Sequence, residues 1–159
     1  MNLTVLVDNN CKMGHPFLGE TGLSILLEND FHKILFDCGY SDAFIKNAYK
    51  LGADLADVNE IVLSHGHVDH TGGLLRLDSL YHKMLLAGIS LNQKTILAHP
   101  DVFEAKLNEK MVDIGFPGDC SKLCDVFDVD FSTKPKWITP KLLYSGEIPK
   151  FYNTDYKYK

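Results

Sequence analysis

The stretch SHGHVDHTGG, residues 64–73, places three histidines and one aspartate within six residues and follows them with two adjacent glycines. Imidazole and carboxylate are the side chains that hold divalent transition metals. His65 and His67 are two apart, so in extended backbone their side chains point the same way and can grip one ion. Asp69 and His70 lie just beyond, where the chain turns toward a helix, and are placed for a second ion about 3.5–4 Å from the first. Gly66 and Gly72 are expected to relax the backbone where it must bend. Two ions sharing one water generate hydroxide near neutral pH and polarise a carbonyl or phosphoryl oxygen. The chemistry this points to is metal-assisted hydrolysis, with Asp69 both binding the second ion and orienting the hydroxide. The plainer alternative is a polar surface loop with incidental histidines. His15, His32 and His82 stand outside any such pattern and read as exposed or packing residues.

The flanking sequence frames the stretch. Glu60 to Leu63 is a short buried strand that runs straight into it. The segment LLRLDSLYHKML that follows has Leu74, Leu77 and Leu80 at helical spacing. Upstream, Leu3 to Val7, Leu23 to Glu28 and Lys33 to Asp37 read as strands, the last two joined by a hairpin tip at Asn29-Asp30. Ser41 is expected to cap a helix carrying Phe44, Ile45, Ala48 and Leu51 on one face, with Asp42 in its first turn and Gly52 stopping it. Downstream, Thr95 to Ala98 reads as a strand ending at His99-Pro100. Met111 to Ile114 is expected as a strand, Asp119 to Phe127 as a helix, and Leu142 to Ser145 as a strand. Strands first and then strands mixed with helices suggest an α/β (α+β) domain with a mixed β-sheet and helices on its outer face. Residues 1–149 form this domain, and FYNTDYKYK belongs to a frayed tail at 150–159.

Composition narrows the class. The 159 residues suffice for one ordinary domain, and 45% apolar with 23% charged residues fits a globular chain. A net charge of −5 argues against nucleic-acid binding held by bulk charge. No apolar run approaches the ~20 residues that span a bilayer, and the N-terminus lacks the basic region and cleavage site of a signal peptide. The expected location is the cytoplasm, where Cys11, Cys38, Cys120 and Cys124 are free thiols. Cys120 and Cys124 would need two further ligands to hold a metal.

At His65, His67, Asp69 and His70 the sequence resembles the metallo-β-lactamase fold superfamily, whose H-x-H-x-D-H loop these residues match without a gap. ILFDCG, residues 34–39, matches a second feature, an aspartate at the end of an early strand. Asp37 fits that place, and the resemblance implies that it supports the metal loop from behind, since such carboxylates set the orientation and tautomer of metal-bound histidines. VLVDNN, FLGETGLSILLE, AHPDVF and SGEIP further resemble a branch related to the 7,8-dihydropterin-6-methyl-4-(β-D-ribofuranosyl)-aminobenzene-5′-phosphate synthases. The resemblance covers roughly residues 3–149.

It implies an αββα sandwich of two sheets with helices outside, of which this chain holds mainly the N-terminal half. In the family the second half adds a histidine to the first ion, a bridging aspartate or similar group, and a last histidine to the second ion. This chain has no histidine after His99. Two protein ligands per ion fall short of the three usual for catalytic zinc. His99 is open to three roles: metal ligand, pocket lining, or packing. Glu147 is a further candidate to reach the site. Three readings of the whole follow: the N-terminal portion of a longer hydrolase, an enzyme completed by a second chain or second copy, or a metal-binding or interaction module without turnover of its own. The expected ion is Zn²⁺, one or two per site, with Mn²⁺ or Fe²⁺ compatible. The expected substrate is a small molecule with an ester, phosphoester or related bond; neither nucleic acid nor membrane is an expected partner.

Overall fold

The computed structural model describes residues 1–29 and 31–149. The expected tail at 150–159 and Asp30 of the expected hairpin tip lie outside the described residues. Six strands form one mixed sheet in sequence order: β1 (Asn2–Val7), β2 (Ser24–Glu28), β3 (Lys33–Phe36), β4 (Glu60–Val62), β5 (Lys94–Ala98) and β6 (Phe127–Phe131). β1, β2 and β3 pair antiparallel, and β3 through β6 run parallel. A separate hairpin joins β7 (Lys136–Thr139) to β8 (Leu142–Tyr144).

The period-two alternation of the strands decides which side chains go where. Leu26, Leu35, Ile61 and Ile96 face one side and pack in the main core with Phe44, Ala48, Leu74, Leu77 and Tyr81. Those last five come from α1 (Ala43–Leu51) and α3 (Leu74–Leu86), so the long helices cover that face. Their neighbours Ile34, Val62 and Leu97 face the other side, where Leu27 and Phe36 join them beneath Ile138, Leu142 and Tyr144 of the β7–β8 hairpin. The mixed sheet with helices on one outer face matches the expectation. Among the described residues no helix is long and apolar enough to cross a membrane.

Several local expectations need correction. The N-cap of α1 is Asp42, one residue past Ser41, so no acidic residue occupies the first turn. The Ser41 hydroxyl instead accepts from the Ala43 amide and donates to Glu20. Gly52 closes the helix with φ +69°, as expected. Leu51 turns outward, and Asn47 takes the inner face, where its amide donates to the Leu6 and Leu18 carbonyls. In α3 Leu80 packs partly buried against the core as expected, and Tyr81 joins Leu74 and Leu77 as a fully buried anchor; its hydroxyl donates to the Leu55 carbonyl at 2.8 Å.

Residues 111–114 are not a strand. Asn108 Oδ1 accepts from the amides of Lys110 and Val112, which curls the segment, and Met111 takes φ +59°. Residues 119–127 are not a helix. Asp119 caps a single 3₁₀ turn at Cys120–Lys122, the Cys124 amide is tied to Asp78, and Phe127 opens β6.

Candidate metal centre and adjoining cavity

Three neighbouring parallel strands end side by side, and the candidate residues sit just past those ends. Phe36, Val62 and Leu97 are in register across β3, β4 and β5. Asp37 follows the first, Ser64 to His70 the second, and His99 the third. The C-terminal edge of a parallel sheet is where such folds gather ligands. Here the short β4 delivers the histidine loop directly onto Asp37.

The loop is fixed from behind by that aspartate. Asp37 is fully buried and adopts φ +56°, a left-handed conformation that costs energy for a residue with a side chain. Its Oδ1 accepts from the Ser64 amide at 2.8 Å. Its Oδ2 accepts from the Ser64 hydroxyl and from His70 Nδ1, each at 2.7 Å. Because Ser64 Oγ donates to Asp37, it is left to accept from His65 Nδ1 at 2.9 Å. This network assigns the proton of both rings to Nδ1 and leaves both Nε2 lone pairs free, the form that binds a metal. Ser64 thus extends the reach of Asp37 to His65. Nothing in the sequence marks this role for Ser64, since a serine beside a histidine carries no signal until Asp37 is placed next to it.

His67 caps the short α2 (Val68–Thr71), and its carbonyl accepts from the Thr71 hydroxyl. The Val68 amide donates to the Ile114 carbonyl, which pins the loop to the curled segment downstream. Gly66 and Gly72 serve close packing and not a change of backbone hand. Gly72 is right-handed helical, and neither residue has positive φ. A Cβ on Gly66 would lie 2.2 Å from the Val102 carbonyl oxygen, and one on Gly72 would lie 2.6 Å from that of Tyr40.

Three of the four candidate side chains converge most closely. Ligand atoms of His65, Asp69 and His70 lie within 4.8 Å of one another. His67 stands beside them, its ring centroid 4.7 Å from that of His65. The electrostatics of the two imidazoles diverge. The hydrogen bond to Asp37 pushes the His70 pKa up, against desolvation. Burial, and then the neighbouring His70 and His67, push that of His65 down.

His65 also borders a cavity of about 840 Å³ on the hairpin side of the sheet. Ile34, Phe36, Val62, Ile138 and Leu142 make its apolar wall, and Ser64, His99, Lys106 and Glu147 its polar end. His99 therefore lines the cavity. Its Nδ1 accepts from the Asp101 amide at 3.1 Å, capping the 3₁₀ turn Pro100–Phe103. With Nδ1 so engaged, Nε2 is the ring nitrogen left facing the cavity. Glu147 Oε2 lies 3.9 Å from that nitrogen and is mostly exposed.

Comparison with known proteins places the fold among characterised ones. The metallo-beta-lactamase superfamily profile matches residues 19–88. An uncharacterized protein of Methanocaldococcus jannaschii is 29% identical over 151 residues, covering 94% of this chain and 54% of that protein. The 7,8-dihydropterin-6-methyl-4-(beta-D-ribofuranosyl)-aminobenzene-5'-phosphate synthase of the same organism is 29% identical over 109 residues, covering 65% of this chain and 34% of the synthase. The crystal structure of a metal-dependent hydrolase of the β-lactamase superfamily superposes with TM-score 0.65 at 29% identity, over 89% of this chain and 46% of that one. Residues 19–88 thus match the metallo-β-lactamase superfamily, and the chain shares its fold with a metal-dependent hydrolase of that superfamily. It spans about half the length of the first of these relatives and of the hydrolase, and a third of the synthase.

Proposed function

We propose that this chain is a metal-dependent hydrolase domain whose ion is held by His65, Asp69 and His70. The observation that supports it is the convergence of those three ligand-bearing groups within 4.8 Å. Catalytic zinc takes three protein ligands and keeps a position open. Three converging donors meet that requirement better than the two-plus-two pairing suggested by sequence spacing. His67, beside His65, is the donor a second ion would use first. Zinc is the ion best matched to two imidazoles and a carboxylate, with manganese and iron next.

A divalent ion at this position supplies Lewis acidity and activates water near neutral pH. The protein groups do the rest. Asp37 and Ser64 hold the two histidine rings in the ligating tautomer. Asp69 orients the attacking water. His99 offers Nε2–H to a substrate oxygen at the mouth of the cavity. The substrate in this reading is a small molecule carrying an ester, phosphoester or thioester, and the chain works in the cytoplasm, where its four thiols stay reduced.

The test is zinc-dependent hydrolysis of activated phosphodiesters and thioesters by the purified chain. Asp69→Asn should lower kcat by about a hundredfold or more. Equal rates for native and variant protein would rule the reading out. The alternative is a metal-binding module that turns over only with a second chain or a second copy. Its support is the wall of the cavity, where, among the described residues, Leu27, Ile34 and Phe36 pack with Ile138, Leu142 and Tyr144 of the small β7–β8 hairpin. Metal binding without hydrolysis by the chain alone would favour that alternative.

A further inference from the structure

We infer that Lys106 and His99 form an anion-recognising end of the cavity beside His65, so that its ligand is an amphipathic anion: one carboxylate, sulfonate or phosphate on an aromatic or aliphatic body. This deepens the hydrolase reading and rests on it for turnover, but not for binding.

Lys106 is the starting point. Its side chain is half-buried, and Nζ donates to the carbonyls of Asp101 at 2.5 Å and Glu104 at 2.8 Å. An ammonium has three N–H donors, so one remains. Its backbone is held as well, with the amide donating to Asp113 Oδ1 at 3.0 Å and the carbonyl accepting from Ile114. Cε lies 3.0 Å from where a Gly66 Cβ would stand, so the lysine stem runs against the backbone between His65 and His67. A solvated surface lysine pays rotamer entropy to meet an anion. This one has paid most of it within the fold.

His99 supplies the second donor. Its Nδ1 is committed to the Asp101 amide, so Nε2–H remains for a ligand. The carboxylate nearest that nitrogen, on Glu147, is 62% exposed at 3.9 Å and leaves room for a competing anion. Beyond these groups the cavity is the apolar sheet face under Ile138 and Leu142. Its volume of about 840 Å³ falls in the range of small-molecule pockets. An apolar body fills that part, and the charge sits at the Lys106 end, next to the metal-binding loop.

The test uses two probes of similar shape on the whole chain, followed by fluorescence titration after chelation of metal. One is 8-anilinonaphthalene-1-sulfonate, and the other is its uncharged parent N-phenyl-1-naphthylamine. The native chain should bind the sulfonate more tightly than the neutral amine. Lys106→Gln should weaken the sulfonate about tenfold, the size of one charge-assisted hydrogen bond, and leave the neutral probe within about twofold. Lys106→Arg should restore most of the loss. His99→Asn keeps a side-chain acceptor for the Asp101 amide and removes the Nε2 donor, so it too should weaken only the sulfonate. It serves if Lys106→Gln does not fold. No preference for the sulfonate in the native chain, or an unchanged preference in the variants, would overturn the inference. Charge-selective binding without any metal uptake would leave the inference standing and remove the hydrolase reading. Metal uptake without charge selectivity would do the reverse.

Discussion

His70 Nδ1 donates to Asp37 Oδ2 across 2.7 Å, and the aspartate that accepts it is wholly excluded from solvent. The same oxygen takes the Ser64 hydroxyl, and through it the ring of His65. One buried carboxylate therefore sets the tautomer of two candidate ligands. Asp37→Asn keeps the volume but replaces an acceptor with an amide donor that faces other donors. Zinc affinity, measured by competition with a chromogenic chelator, should fall about 10–100-fold, the usual cost of losing such a partner.

The two imidazoles should leave opposite marks on the pH dependence of the metal-free chain. The His70 pKa is raised in the folded state by its bond to Asp37. That stabilisation is fully present below the unfolded value of about 6.5 and is lost as pH rises through the folded one. The His65 pKa is lowered in the folded state, chiefly by burial. Its contribution to stability is lost as pH falls from about 6.5 through the folded value, because only the unfolded chain takes up the proton there. Urea midpoints of the chelated protein should show His70→Gln flattening the loss on the alkaline side, and His65→Gln flattening the loss on the acid side. Identical pH profiles for native and variant chains would contradict both assignments.

Gly66 is a steric requirement of the loop. A methyl group there would sit 2.2 Å from the Val102 carbonyl oxygen, so the 3₁₀ turn Pro100–Phe103 must shift. Gly66→Ala should cost about 1–3 kcal/mol in urea unfolding, the range for overpacking. It should also weaken zinc binding, since His65 and His67 flank the displaced backbone.

The helical face depends on a polar anchor. Tyr81 is fully buried in α3, and its hydroxyl satisfies the Leu55 carbonyl in the connector before β4. Tyr81→Phe removes the shorter of that carbonyl's two hydrogen bonds and leaves it only the Val58 amide at 3.3 Å. It should lower the stability by about 1–2 kcal/mol while leaving zinc affinity unchanged, which separates damage to the core from damage to the site.

The legible parts of this chain were those where one period dominates. The strands β2 to β5 alternate cleanly or are short apolar runs, and the histidine loop announces its chemistry by residue type alone. Spacing places four candidate ligands in one loop but does not say which of them converge most closely. His65 and His67 are close in sequence, yet the turn into α2 brings Asp69 and His70 to His65, which depends on how far the backbone rotates after Val68. Tyr81 and Asn47 were passed over because a pattern of apolar positions does not register a polar group that is buried and satisfied. The strand β6 reads FDVDF, an alternating pattern. It was hidden because Cys120, Leu123 and Cys124 just before it mimic helical spacing, whereas Asp119 and Asp78 bind the local backbone and hold it open. Lys106 gave no signal, since a lysine's carbonyl partners are fixed only by the turn it closes.

The three-ligand centre is tested most directly by zinc titration of the metal-free chain by calorimetry, with His65→Ala, Asp69→Ala and His70→Ala alongside. It predicts saturation near one ion per chain, as three converging ligands require, and a loss of at least about tenfold in affinity for each variant. No binding by the native chain, or binding that none of the three substitutions weakens, would contradict it.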